Sequence, residues 1–370
     1  MNKERKDYID YIRAVIIIGV VLVHVGFDEL TYFSTACMSI LYVCSGFLTS
    51  TKEKLLKEPI TSRFKKLMLP YFICSIVYAI FEVGRAYYFG YADYKILYPA
   101  FLSMIYGPSA KVPLIAGITD AVPKILGSEV QSQNMVNIIL PTNCHLWFLP
   151  VMFTGCVMFF IYTKYVKKRG IADALTIVVL LGLAYIESIP TVIQFPFGLG
   201  RGFFACACMI AGLDLKHFAV MEEKKKKYSA VTVSALIIGA VLFGHAYESA
   251  PIRSIYPFGN IWGVYIFFLS GVSMTVLLFF IFKAISDRLN CKWLSDIGKN
   301  TMSVYSWHMI FLTLFGIAAV KLFGIPVEMD IFNMAFISRE YPWVRVLVAA
   351  LSIIACMIPA YIKQYKKKNN

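Results

Sequence analysis

Apolar residues in this sequence come in long unbroken runs, not in short alternating or one-faced patterns. Runs long enough to cross about 30 Å of hydrocarbon, which takes about 20 residues, lie at 9–27, 33–50, 68–88, 145–163, 171–188, 197–215, 228–245, 261–282, 301–322 and 343–362. This predicts an all-α, polytopic integral membrane protein with ten transmembrane helices. A transmembrane β-barrel is excluded, because its strands read as short segments of alternating polarity. No repeat at solenoid periods and no inverted duplication of the transporter kind is visible, so residues 1–370 read as one membrane domain.

Composition points the same way. Of 370 residues, 59% are hydrophobic and 16% charged, and the mean hydropathy is +0.67. A soluble domain carries about 25% charged residues, so this chain lacks the polar side chains to cover a wetted surface. A cytosolic enzyme, a disordered chain and a disulfide scaffold are thereby ruled out. The nine cysteines sit mostly inside spans and form no CxxC pair, and they read as packing thiols.

The net charge of +14 is a statement about topology. The segments 1–13, 51–66, 164–169, 216–227, 283–299 and 363–370 hold 27 of the 36 Lys and Arg residues. The positive-inside rule places these segments, and both termini, in the cytoplasm. Attraction to anionic lipid accounts for such a charge without nucleic acid. On the other face the connections are short except one, about 89–144, which carries Pro99, Pro108, Pro113, Pro123 and Pro141. A connection of that length is uncommon unless it works. Its piece Ala110 to Leu126 is apolar enough to lie on the membrane surface or dip into it.

Ionisable side chains within spans are the informative ones, since placing them there is costly. Arg13 and His24 are eleven residues apart in the first run. Eleven steps of about 100° return to nearly the same face of a helix, about 16 Å further along. Arg13 stands near the cytoplasmic end, where it can snorkel to lipid phosphate or bind an anion. His24, in the outer half, is flanked by valines and must face the bundle interior or a wet cavity. Asp28, at i+4, can accept one imidazole N–H and leave the other nitrogen as a base. The competing reading is a histidine satisfied by one buried hydrogen bond.

Five short elements then form a pattern. Arg13 and His24 make an R-x10-H pair. Ser45-Gly46-Phe47 follows near the end of the second span. Arg63-Phe64-Lys65-Lys66-Leu67 with Pro70-Tyr71 enters the third. His145-Leu146-Trp147-Phe148-Leu149 follows the long outer connection, and Gly298-Lys299-Asn300-Thr301 leads through Tyr305 to His308. In this order the elements resemble those of the membrane acyltransferase 3 family. Lys66 departs from the usual Arg, keeping the charge but losing the planar fork that suits phosphate.

The resemblance implies an O-acyltransferase that takes an acyl group, usually acetyl, from cytoplasmic acyl-CoA. The acceptor it implies is a hydroxyl of a cell-surface glycan or glycan precursor. The setting it implies is the bilayer of a cell membrane, the inner membrane of a bacterium. It implies His24, with Asp28, as the catalytic pair, either as a general base or through an acyl-His intermediate. Arg13, Arg63, Lys66, Ser45, Tyr305 and His308 are then the expected acetyl-CoA contacts. His308 also reads as a residue holding a helix contact. His145, Trp147, Arg201 and Glu187 are the expected acceptor contacts. Trp147 reads equally as part of an interfacial aromatic belt, and Arg201 as an ion-pair partner of Glu187. No metal-ligand set and no nucleotide-binding loop occurs. Two other classes fit ten spans with intramembrane charge: a secondary transporter or exporter coupled through His24 or Glu82, and a structural subunit of a glycan-synthesis complex. Oligomeric state and the identity of the glycan leave no mark in the sequence.

Overall fold

In hydrocarbon each backbone N–H and C=O must find a partner inside its own segment, so apolar runs close into helices. The structure, a computed structural model, describes residues 7–27, 30–49, 57–88, 104, 111–113, 130–132, 135–137, 144–166, 170–188, 195–224, 232, 235–236, 238–239, 261–327 and 335–369. Its helices are α1 (Asp7–His24), α2 (Thr31–Leu48), α3 (Lys57–Arg63), α4 (Leu69–Tyr88), α5 (Phe148–Tyr165), α6 (Ile171–Ser188), α7 (Leu199–Lys224), α8 (Ile261–Ser286), α9 (Lys292–Lys299), α10 (Thr301–Phe323) and α11 (Pro342–Asn369).

Every expected span except 228–245 falls on a described helix, and that one lies mostly outside the described residues. Among the described residues six helical stretches are long and apolar enough to cross a membrane: Glu58–Gly84, His145–Tyr165, Pro196–His217, Ile261–Ser286, Thr301–Phe323 and Pro342–Ile362. Cys37–Leu48 and Ile171–Ile186 are shorter apolar stretches on the expected second and fifth spans. Two expectations are refined. The third span is entered by a wider π-helical turn, Phe64–Met68, that joins α3 to α4 into one rod. The long connection 89–144 contains a small antiparallel sheet of β1 (Lys111–Pro113), β2 (Val130–Ser132) and β3 (Met135–Asn137), in the order β1-β3-β2. The all-α reading therefore holds for the spans and not for this connection. Lys111–Pro113, inside the stretch expected on the membrane surface, is a strand paired with Met135–Asn137.

The chain divides into two compact units, Met1–Cys37 with Val276–Asn370, and Met38–Thr275. In the first, α1 packs against α9, α10 and α11, and α10 lies along α11. In the second, α7 lies along both α5 and α6. Lipid tails give helices no hydrophobic reason to associate, so close backbone approach at small residues does the work. A Cβ at Gly46 would stand 2.0 Å from the carbonyl oxygen of Met209, and one at Gly212 would stand 2.0 Å from that of Val43. These two glycines set the crossing of α2 and α7. Lys216 of α7 then donates to the Thr49 carbonyl at 2.7 Å, closing the C-terminal end of α2.

Gly212→Val forces backbone against backbone and is expected to cost about 1–3 kcal/mol, read as a lower Tm in detergent. Gly84→Ala, whose new Cβ meets nothing within 4 Å, leaves the Tm unchanged. Equal melting of the two variants refutes the glycine crossing.

Candidate functional site

In the first unit the polar residues gather along α1. Its N-terminal end is fastened by Tyr11. The Tyr11 hydroxyl accepts from the Cys291 backbone N–H at 3.0 Å and donates to the Leu289 carbonyl at 3.3 Å. The turn before α9 is thus held on α1. Gly298, at the other end of α9, lies so close that a Cβ there would be 1.8 Å from the Asp10 carbonyl oxygen. The glycine of the Gly298-Lys299-Asn300-Thr301 element is therefore a contact with α1, which explains why no larger residue fits.

This packing buries two carboxylates, Asp10 and Asp296. Each holds a cation three residues on. Arg13 Nη1 is 3.8 Å from Asp10 Oδ1, and Lys299 Nζ is 3.9 Å from Asp296 Oδ1, with both basic side chains 32% exposed. Arg13 is therefore anchored on its protein side and open on the other. The half-open guanidinium can take a phosphate as well as the carboxylate.

His24 is the last residue of α1, so the helix phase that puts it on the face of Arg13 holds over its whole length. Asp28 lies outside the described residues. The α1 helix ends at His24, and Gly26 turns the chain with φ +97°. The structure brings His308 to His24. The two rings lie 5.4 Å apart between centroids and are tilted by 40°. His308 is fully buried. Its Nδ1 lies 3.0 Å from the carbonyl oxygens of both Val304 and Tyr305. Carbonyls only accept, so Nδ1 carries the hydrogen and the lone pair of the neutral ring is on Nε2. Tyr305 packs its ring against the same imidazole at 6.3 Å. His308 and Tyr305, expected as donor contacts, thus stand at the His24 end of α1.

Arg345, the third residue of the last expected span, is a site residue not among the expected ones. It is buried, 4% exposed. Its Nη1 donates to the Gly26 carbonyl at 2.6 Å, and its Nε and Nη2 donate to the Ile337 carbonyl at 3.1 and 2.7 Å. An arginine inside an apolar span was the available signal.

The second unit holds the other expected residues. Ser45 on α2 and Cys156 on α5 are both buried. Lys66 is exposed, one π-turn residue away from the buried Leu67. His145 is buried with its ring 5.1 Å from that of Tyr78, edge to face. Arg201 lies over the Trp147 ring, its Cζ 5.2 Å from the centroid. That cation–π contact joins two expected acceptor residues that the sequence did not pair. The side chain of Glu187, the expected partner of Arg201, lies outside the described ones.

Removing one hydroxyl tests the anchoring of α1. Tyr11→Phe deletes both hydrogen bonds and is expected to lower stability by about 1–3 kcal/mol, measured as a Tm shift in detergent. An unshifted Tm means that the turn before α9 is held without them.

The family model of the acyltransferase 3 domain, described as an acyltransferase domain, matches residues 6–361. No curated protein and no solved structure matches the chain. The match covers essentially the whole sequence, so the chain belongs to this acyltransferase family and is a multi-pass membrane protein of it.

Proposed function

We propose that this acyltransferase moves an acetyl group from cytoplasmic acetyl-CoA to a hydroxyl of a cell-surface glycan or glycan precursor, with His24 as the general base. The observation that carries the reading is the His24–His308 ring pair at one end of α1, with the half-open Arg13 guanidinium on the same face of the same helix. The helix spaces the two by about 16 Å, a length suited to an extended pantetheine arm between phosphates and thioester. In this reading ten spans place both termini in the cytoplasm of a bacterial cell, and the Arg13 end of α1 faces the donor.

Chemically, the acceptor oxygen attacks the thioester carbonyl while a His24 nitrogen takes the hydroxyl proton. The tetrahedral intermediate collapses, the C–S bond breaks, and the proton passes to the leaving CoA thiolate. The products are the acetyl ester and free CoA. His308 flanks the base, its ring 5.4 Å from that of His24 between centroids. Asp28 is assigned to accept one His24 N–H, which leaves the other His24 nitrogen to take the proton. Arg13 binds donor phosphate by charge-assisted hydrogen bonds. Arg63 and Lys66, on the second unit, are assigned donor phosphate by the same charge argument, and Ser45 stays an expected donor contact. Trp147 with Arg201 offers an aromatic face backed by a cation, which suits a sugar ring, and His145 and Glu187 complete the proposed acceptor residues.

The test is acetyl-CoA binding and slow hydrolysis by the purified protein in detergent. His24→Ala is expected to lower turnover by about 10²–10⁴-fold, the usual range for a lost general base, with binding retained. Full turnover in that variant removes His24 from the chemistry. Arg13→Ala is expected to raise the acetyl-CoA KM about tenfold, the loss of one charge-assisted contact of about 1.4 kcal/mol, with kcat little changed. An unaltered KM refutes the phosphate role.

A further inference from the structure

The turn that follows His24 is held by a structure that the proposed chemistry does not use. Gly26, two residues beyond His24, leaves α1 with φ +97°. A side chain is strained at that angle, and the space is already filled: a Cβ would stand 3.0 Å from Cζ and Nη1 of Arg345. The guanidinium packs flat on the glycine and holds its carbonyl at 2.6 Å.

The other side of the guanidinium is fixed just as firmly. Nε and Nη2 both donate to the carbonyl of Ile337. That residue is fully buried and pairs with Val327 in an isolated antiparallel bridge. Phe336, just before it, is buried with φ +57°. A bulky residue in the left-handed region persists only where its surroundings over-determine it, and such strain gathers at working sites. Ala335, one residue earlier, presses its carbonyl on α10, where a Cβ at Gly316 would meet it at 2.1 Å. Gly316 is eight residues beyond His308 on the same helix.

These contacts form one chain of rigid links. It runs from His24 through Gly26 to Arg345, then through Ile337 and Ala335 to Gly316, and back along α10 to His308. From it we infer that Arg345 is a positioning residue, whose three-pronged grip sets the His24 ring against the His308 ring. Arginine suits this role because its planar fork delivers several N–H groups in fixed directions, whereas lysine delivers one point charge. This inference rests on the reading of His24 as the base.

The experiment compares wild type with Arg345→Lys, Arg345→Ala and Gly26→Ala in the acetyl-CoA hydrolysis assay, with Tm recorded for each. A misplacement near 1 Å costs about 10²-fold in rate. The expected result is a kcat about 10²-fold lower in all three, an acetyl-CoA KM within about twofold of wild type, and a Tm fall for Arg345→Lys no larger than that of Tyr11→Phe. Gly26→Ala keeps the arginine and disturbs only its seat, so a matching loss there ties the effect to the grip and not to the charge. If Arg345→Ala fails to fold, the lysine and Gly26 variants decide. Wild-type kcat in Arg345→Lys and Gly26→Ala overturns the inference. So does a rate loss that merely tracks a fall in Tm. His24-dependent turnover in wild type with no Arg345 effect defeats this inference alone, whereas turnover indifferent to His24→Ala defeats the parent reading and this one with it.

Discussion

A polar side chain within a bilayer has no water to turn to, so each imidazole, carboxylate and guanidinium in these helices must be matched by protein. Much of the first unit follows from that constraint. Asp10 and Asp296 are buried where α9 presses on α1, and each holds a basic residue three positions on. His308 gives its Nδ1 hydrogen to carbonyls of its own helix. Arg345 spends three N–H donors on two carbonyls that turns have left outside the helical ladders. A group so matched is also fixed in direction, and fixed direction is what catalysis by a histidine needs.

The same solvent removes the hydrophobic incentive for helices to meet, leaving shape as the organiser. Gly298 on Asp10, Gly316 on Ala335, Gly46 on Met209 and Gly212 on Val43 are all backbone-to-backbone approaches that a Cβ would forbid. Two of these lie in the first unit and flank its chemistry, one near Arg13 and one beyond His308. Close approach there lets short polar contacts form between helices whose longer side chains would otherwise hold them apart.

The chain belongs to the acyltransferase 3 family, and in the proposed function it brings an anionic acyl-CoA donor and a hydroxyl to one reacting carbon. α1 is well suited to be the ruler for the donor. It is a single unbroken helix from Asp7 to His24, so the offset between a cation near one end and an imidazole at the other is a matter of helix geometry. Its two ends are then clamped separately, by Tyr11 and Gly298 near the start and by Arg345 after the finish. On the second unit, Arg201 stacks on Trp147 and the buried His145 packs beside Tyr78, the residues that the proposed function gives to the acceptor.

Hydrophobic run length alone set the helical class and most span positions, because the cost of unpaired backbone in lipid leaves few other outcomes. The R-x10-H spacing alone put Arg13 and His24 on one face, because that relation is internal to a helix. The motif order was enough to reach the family. What lay beyond the sequence were contacts between segments far apart along it. His308 reads as a neighbour of Tyr305, and only tertiary packing sets its ring beside His24. Arg345 reads as one more basic residue near a span end until its fork is seen closed on Gly26 and Ile337, 319 and 8 residues away. Periodicity carries the direction of a side chain within its own helix, whereas which helix stands opposite depends on where glycines let backbones touch, and that was decided by the fold.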